Sequence, residues 1–346
     1  MHSLLQSEIH AQPTTLTHLI ERETAHIRTI AATLRARRFS YALIAARGTS
    51  DNAARYAQYL FGTLLGLPVA LAAPSLHTRY GAPMRFDDAL VIGISQSGQS
   101  PDICAVVAAA RAAGAPTLAI TNVDGSPLEA AAAQRIALHA GPERSIAATK
   151  TYTAQLVALA LLGFALADDQ AGIVALTQIP AAVDATLALD AMLAEIAQAE
   201  RGMQAAVTIG RGYNFATAHE TALKLKELTY VPVEPYSAAD FQHGPIAMVR
   251  EAFPIIITAP HGVLADDLAE LAQRLRGLGA RLIAISDVPA ILAAAQHAVP
   301  LPQRVDERLS PITAVVPGQL LAFHLARARG GDPDAPRTIR KVTETT

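Results

Sequence analysis

A lysine stands between two glutamates in the stretch His219-Glu220-Thr221-Ala222-Leu223-Lys224-Leu225-Lys226-Glu227-Leu228. On an α-helix Glu220, Lys224 and Glu227 fall at i, i+4 and i+7, hence on one face, while Lys226 points elsewhere. A carboxylate beside a lysine is a proton-transfer pair if it lines a cleft. On a solvated face the same spacing is an ordinary ion-pair stripe, worth roughly a few tenths of a kcal/mol per pair. The spacing fits both. A second cluster, Ser95-Gln96-Ser97-Gly98-Gln99-Ser100, precedes Pro101-Asp102 and an alanine-rich stretch. Proline suits the first helical position and a preceding serine can cap the free amides. The same helix N-terminus, with its unpaired N–H groups and partial positive charge, is a seat for phosphate. Helix cap and anion seat are equally compatible with these residues.

Three more polar segments invite attention. Gln242-His243-Gly244-Pro245 is a turn carrying a histidine, the side chain that titrates near neutrality and can move protons to or from sugar oxygens. Arg144-Ser145-Ile146-Ala147-Ala148-Thr149-Lys150-Thr151 is a polar turn before an apolar helix, and Pro336-Arg337-Thr338-Ile339-Arg340-Lys341 is a basic tail. Read singly, these are a surface histidine, a capping segment and a solvated terminus.

What must position them is legible in the apolar runs. Ala89-Leu90-Val91-Ile92-Gly93-Ile94 and its like are continuous rather than alternating, as in parallel strands covered on both faces. They alternate with longer alanine-rich helical segments, the pattern of a doubly wound α/β sandwich whose ligands bind beyond the carboxyl ends of the strands. The loops at 48–52 and 95–100 both fall at that edge. The chain also repeats itself at an offset of about 164 residues: Ala42-Leu43-Ile44-Ala45-Ala46-Arg47-Gly48 matches Ala206-Val207-Thr208-Ile209-Gly210-Arg211-Gly212. At that offset Leu67-Pro68-Val69 faces Val231-Pro232-Val233, and Leu90-Val91-Ile92-Gly93-Ile94 faces Pro254-Ile255-Ile256-Ile257-Thr258. The halves differ where chemistry belongs. Ala259-Pro260-His261-Gly262-Val263 replaces the serine loop, and only the second half has the Glu-Lys-Glu helix.

Composition bounds the rest. The 346 residues suffice for two domains, and 51% hydrophobic against 17% charged residues describes a well-packed globular protein. A formal net charge of −2 offers no global attraction to nucleic acid or anionic lipid. The apolar stretch Leu156 to Ala167 is too short to span a bilayer and reads as a buried helix. With Cys104 the sole cysteine, no intramolecular disulfide or cysteine-based zinc cluster forms. The first residues show no signal-peptide core, so a cytoplasmic location without membrane or nucleic-acid partners is expected.

Taken in order, Gly48-Thr49-Ser50, Ser95-Gln96-Ser97-Gly98, Ala148-Thr149-Lys150, Gly210-Arg211-Gly212, Ala222-Leu223-Lys224-Leu225-Lys226-Glu227, His243-Gly244-Pro245 and Lys341 resemble the sugar isomerase (SIS) family. The likeness is to its double-domain members, which include glucosamine-6-phosphate deaminases and an aminotransferase isomerase half. It covers nearly the whole chain. It implies two tandem SIS domains, each a doubly wound, mostly parallel sheet flanked by helices in three α/β/α layers. The expected boundaries are a helical leader at 1–30, a first domain at 31–167, linker helices at 168–195, a second domain at 196–330 and a tail at 331–346 that closes over the active site.

Position by position, the resemblance implies that Ser95, Gln96, Ser97 and Ser100 cradle the phosphate and that Thr49 and Ser50 contact sugar oxygens. Ala147 and Ala148 would border the substrate. It makes Glu227 the base between C1 and C2, Lys224 its neighbour at the C2 substituent, and His243 the ring-opening acid–base lent by the adjoining subunit of a homodimer. Lys341 matches a tail lysine that closes over the sugar. The implied partner is a sugar phosphate, with no metal or other cofactor.

The aminotransferases so resembled begin with a glutaminase domain, whereas this chain starts with a short helix-like leader. The expected reaction is therefore conversion of glucosamine 6-phosphate to fructose 6-phosphate and ammonia. The alternatives are action on galactosamine 6-phosphate or a fructosamine 6-phosphate, a synthase-like isomerase, and a sugar-phosphate-binding regulator without turnover.

Overall fold

The computed structural model describes residues 3–338. In chain order the first half runs α1 (Leu4–His10), α2 (Gln12–Arg35), β1 (Tyr41–Ala45), α3 (Thr49–Leu65), β2 (Val69–Leu71), α4 (Ser75–Thr78), β3 (Ala89–Ser95), α5 (Pro101–Ala112), β4 (Thr117–Thr121), α6 (Pro127–Ala131), β5 (Gln134–Ala137) and α7 (Lys150–Leu166). After α8 (Gln170–Leu176), α9 (Ile179–Leu187) and α10 (Asp190–Ala199) come β6 (Ala206–Gly210), α11 (Phe215–Thr229), β7 (Val233–Ser237), α12 (Ala238–Gln242), β8 (Pro254–Thr258), α13 (Ala265–Gly277), β9 (Arg281–Ser286), α14 (Pro289–Ala294), β10 (His297–Pro300) and α15 (Ser310–Ala328).

The chain forms two compact units. One contains 14–143 and 150–178 and is built on a sheet of order β2-β1-β3-β4-β5. Every pairing in it is parallel, with β1 and β3 in register from Tyr41 opposite Ala89 to Ala45 opposite Gly93. All seven residues of β3 are buried, which explains the unbroken apolar run. Gly93 is small because Leu128 and Val107 press on it; a Cβ there would lie 2.6 Å from Leu128 Cδ1. Helix α7 is buried along its whole length and packs on α3, as the apolar stretch predicts.

The other unit contains 3–13, 144–149 and 179–338, with a sheet of order β7-β6-β8-β9-β10, again wholly parallel. The two sheets are therefore the same topology written twice, as the repeat predicts. Here α11 packs on α15, and Gly318 permits the approach: a Cβ there would sit 2.4 Å from Thr221 Oγ1. By length and composition the segment 307–328 is apolar enough to cross a membrane, but its most apolar window is 94% buried within the protein.

The division departs from the contiguous boundaries expected. Helix α2 goes with the first sheet, but α1 and the turn at 144–149 go with the second, and the helices at 168–195 are shared between the units. The cause is a set of contacts between residues distant in the chain. Glu8 of α1 binds the backbone of Arg144 and Ser145, Gln319 of α15 donates to the Thr149 carbonyl at 3.4 Å, and α9 and α10 pack on α15.

Candidate active site

Helix α11 carries the catalytic candidates, and its packing removes the solvated reading of their spacing. Glu220 is 0% and Lys224 1% exposed, so the stripe is not solvated. Lys224 Nζ donates to Glu227 Oε2 at 2.6 Å and lies 3.4 Å from Glu220 Oε1. Burying an ammonium without a counter-charge is prohibitive, so the two carboxylates are what allow Lys224 to be there. Glu227, 25% exposed, is the member of the trio that reaches the surface. Lys226 is exposed, on another face, as expected.

The helix is set by its entry. A Cβ at Gly210 would fall 2.1 Å from the Asn214 carbonyl oxygen, and Gly212 has φ +60°, so the glycines of Gly210-Arg211-Gly212 serve close approach and a left-handed backbone. Asn214 donates to Ser310 Oγ at 2.8 Å and accepts from Thr217 Oγ1 at 2.9 Å, fixing the first turn of α11 to the start of α15. The exit is equally fixed. Tyr230, φ +58°, ends α11, and the Arg337 guanidinium lies over its ring at 4.1 Å while the Arg337 N–H donates to its hydroxyl at 2.8 Å. The basic tail thus lies on the end of the candidate catalytic helix at Arg337. Lys341 itself is outside the described residues.

In the other unit the serine loop joins β3 to α5. Ser95 is buried and its Oγ accepts from the Gly98 N–H at 3.1 Å; Ser97 Oγ accepts from the Gln99 N–H at 3.3 Å. Gly98 has φ +64°, and a Cβ on it would collide with Ser126 at 2.3 Å. Ser100 occupies the N-cap position and Pro101 the first turn, but the Ser100 side chain makes no capping hydrogen bond. Ser100 therefore does not cap α5 through its side chain. Gln96, Ser97 and Ser100 are half-buried, whereas Ser95 is turned inward and shapes the loop.

Arg47, at the end of β1, donates from Nε and Nη2 to Asp102 Oδ2 at 2.9 and 2.7 Å. Asp102 is 1% exposed and lies in the first turn of α5, where an unpaired carboxylate would cancel the helix-terminal field. Thr49 opens α3 half-buried. Ser50 is buried and its Oγ accepts from Gln155 Nε2 at 2.9 Å, so Thr49 is the one of the pair nearer the surface.

Ala147, buried, and the half-buried Ala148 lie on the turn at 144–149, which belongs to the unit of α11. His243 ends α12, exposed, with its N–H on the Asp240 carbonyl at 3.1 Å and Gly244 following at φ +134°. The structure brings together Lys224 and Glu227, and the loop residues 95–100. It does not join His243 to either by a hydrogen bond or ion pair among the described residues.

Sequence reasoning did not single out Glu8 and Gln319, which hold the turn at 144–149, or the Arg47–Asp102 and Tyr230–Arg337 pairs. A glutamate on the buried side of a short amphipathic helix is the one signal that pointed to Glu8.

The SIS domain family matches this chain at residues 40–165 and 203–329, over most of its length. The chain belongs to the SIS-domain family. Its two matched segments hold the two parallel sheets. Among SIS relatives, the glutamine–fructose-6-phosphate aminotransferase [isomerizing] of Thermococcus kodakarensis is 36% identical over 355 aligned positions, covering 98% of this chain and 57% of the relative. The chain spans about half the length of the curated relatives it matches. Of solved SIS structures, the C-terminal domain of glucosamine-fructose-6-phosphate aminotransferase from Francisella tularensis superposes with TM-score 0.86 at 27% identity, over 97% of this chain and 99% of that one. The glucosamine-6-phosphate deaminase of Thermotoga maritima shares the fold, with TM-score 0.80 at 21% identity over 99% of this chain and 100% of that one.

Proposed function

We propose that this chain is a phosphosugar isomerase acting on an amino sugar 6-phosphate, and that its reaction is conversion of glucosamine 6-phosphate to fructose 6-phosphate and ammonia. The observation that carries the proposal is the buried Lys224 bonded to a Glu227 that reaches the surface. A carboxylate so held can accept a carbon-bound proton on its exposed oxygen while the ammonium steadies the charge that develops beside it.

In this reading His243 protonates the ring oxygen and opens the sugar. Glu227 takes the proton from C2, giving an enolamine, and returns it to C1, giving the ketose imine. Water adds at C2 and ammonia leaves. Lys224 faces the C2 substituent. Gln96, Ser97 and Ser100, with the amides at the start of α5, hold the phosphate, and Thr49 meets a sugar hydroxyl. Lys341 and a second subunit lending His243 complete the assignment that the family resemblance supplies.

A second reading has a specific observation behind it: identity to an isomerizing aminotransferase runs over 98% of this chain. In that reading the chain makes glucosamine 6-phosphate from fructose 6-phosphate. The purified protein is to be given glucosamine, galactosamine and fructosamine 6-phosphates with ammonia as the readout, and fructose 6-phosphate with ammonium in the reverse assay. Ammonia released from glucosamine 6-phosphate is expected. Product only in the reverse assay moves the assignment to the second reading, and saturable binding with no turnover in either direction makes the chain a sugar-phosphate sensor.

A further inference from the structure

Glu8 lies on α1, a helix held at both ends. At its start, Asp334 accepts from the N–H groups of Leu4 and Leu5 and from Ser3 Oγ, each at 2.9 Å. At its end His10 Nε2 is 3.0 Å from Asp190, a carboxylate that also takes a hydrogen bond from His324. Between these anchors the Glu8 carboxylate is buried and accepts from Arg144 N–H, from Ser145 N–H at 3.1 Å and from Ser145 Oγ. A buried carboxylate is retained only when its lone pairs are met, and here the turn at 144–149 meets them.

We propose that Glu8 is a positioning residue that fixes the Ala147–Ala148 turn for sugar-phosphate binding; the role rests on the reading of the site given above. The turn is short, lies between β5 and α7 in the chain, and packs with the unit that does not contain those elements. Ser145 Oγ, besides meeting Glu8, lies 3.0 Å from the Ala147 carbonyl, so the residue that Glu8 holds is itself tied to Ala147. Glu143 accepts from Thr151 N–H and Oγ1 beside the turn, and Gln319, joined to Gln12 at 2.9 Å, donates to the Thr149 carbonyl. Without the carboxylate two adjacent backbone N–H donors lose their acceptor, and the turn is free to sample other conformations before substrate arrives. Ordering it then becomes part of binding, so affinity falls while proton transfer at Glu227 is unaffected.

The test uses the full chain and the Glu8→Gln and Ser145→Ala variants. Amide exchange is followed at Arg144 and Ser145, fructose 6-phosphate binding by calorimetry, and turnover of glucosamine 6-phosphate as KM and kcat. For Glu8→Gln we expect exchange at 144–145 to accelerate and affinity to fall about tenfold, with KM rising in step and kcat held within about twofold. Ser145→Ala, which leaves the carboxylate and both N–H donors, gives the same direction at about threefold. Unchanged exchange in Glu8→Gln overturns the proposal, as does faster exchange with unchanged affinity. If Glu8→Gln does not fold, Glu8→Asp, which keeps the charge but draws it back from the turn, is measured in its place, and unchanged affinity there is fatal. A wild-type protein that binds no sugar phosphate defeats the functional reading first and removes the ligand that this role requires.

Discussion

The two sheets share one topology and one loop plan, yet their carboxyl ends are furnished in opposite ways. At the repeat offset Gly98 corresponds to Gly262, both at positive φ, and Arg47 to Arg211, paired with Asp102 in the first turn of α5 and with Asp267 in the first turn of α13 respectively. Around that shared frame the first half keeps hydroxyls at Ser95, Ser97 and Ser100. The second half has Ala259 and His261 and brings its own anion: Glu307 accepts from the Val263 N–H at 3.2 Å and presses so closely on Gly262 that a Cβ there would lie 2.2 Å from it. A loop already holding a carboxylate has no place for a phosphate. The helices show the converse. Glu220, Lys224 and Glu227 correspond to Tyr56, Leu60 and Thr63 of α3, of which Tyr56 and Leu60 are fully buried core. The repeat supplies two scaffolds; the hydroxyl-rich loop stands on one and the Glu-Lys-Glu helix on the other.

The largest effect expected of breaking this division is at the helix. Glu227→Gln should lower kcat by about a thousandfold and abolish exchange of the C2 proton with solvent, with sugar-phosphate affinity kept within about threefold. Retained exchange, read by NMR in deuterated water, would transfer the base role elsewhere.

The repeated arginines give the next comparison. Asp102 is 1% exposed but Arg47 is 50% exposed, so Arg47→Ala weakens the setting of a buried carboxylate at the start of α5, costing about 1–2 kcal/mol of stability and much of the phosphate affinity. Arg47→Ala/Asp102→Asn should recover much of both, because the charge leaves with its partner. Asp267, at 59% exposure, predicts the opposite for Arg211→Ala: about 0.5 kcal/mol by urea unfolding and no change in affinity. Equal effects of the two single variants would mean that the second loop is not the silent copy.

How much of this was legible follows the same contrast. The continuous apolar runs announced buried parallel strands, and the repeat announced that the sheets would match, because both are properties of short segments. The i, i+4, i+7 spacing placed Glu220, Lys224 and Glu227 on one face but could not say that the face is buried; that depends on Gly318 and α15, far away in sequence. Ser50 was legible as a hydroxyl beside the loop, but not as a partner of Gln155, and Glu8 was legible only as a helical residue. What was missed is packing or hydrogen bonding between residues widely separated in the chain, which no local pattern encodes.

Ser97→Ala tests the loop itself. Losing one hydroxyl from a charged ligand should raise KM about tenfold with kcat little changed. His261→Ala, at the corresponding position of the silent loop, should leave KM alone, and a matched rise there would contradict the anion's confinement to the first half.

The smallest effect concerns stability alone. Burial pushes Asp287 upward, but hydrogen bonds from the His261 N–H and ring and from Arg304, with the His261 charge, outweigh it and hold the carboxyl below the usual range. A carboxylate depressed in the folded state adds stability above its ordinary titration range, and that stability is lost as pH falls through the folded value. Asp287→Asn should therefore cost about 1–2 kcal/mol at pH 7 in denaturant unfolding, with the gap to wild type closing below about pH 4. Because this pair lies in the loop that lacks the serine hydroxyls, the proposed division predicts that KM does not move at any pH. A KM change in Asp287→Asn would show that the second carboxyl end takes part in substrate binding after all, and the division of labour between the halves would have to be redrawn.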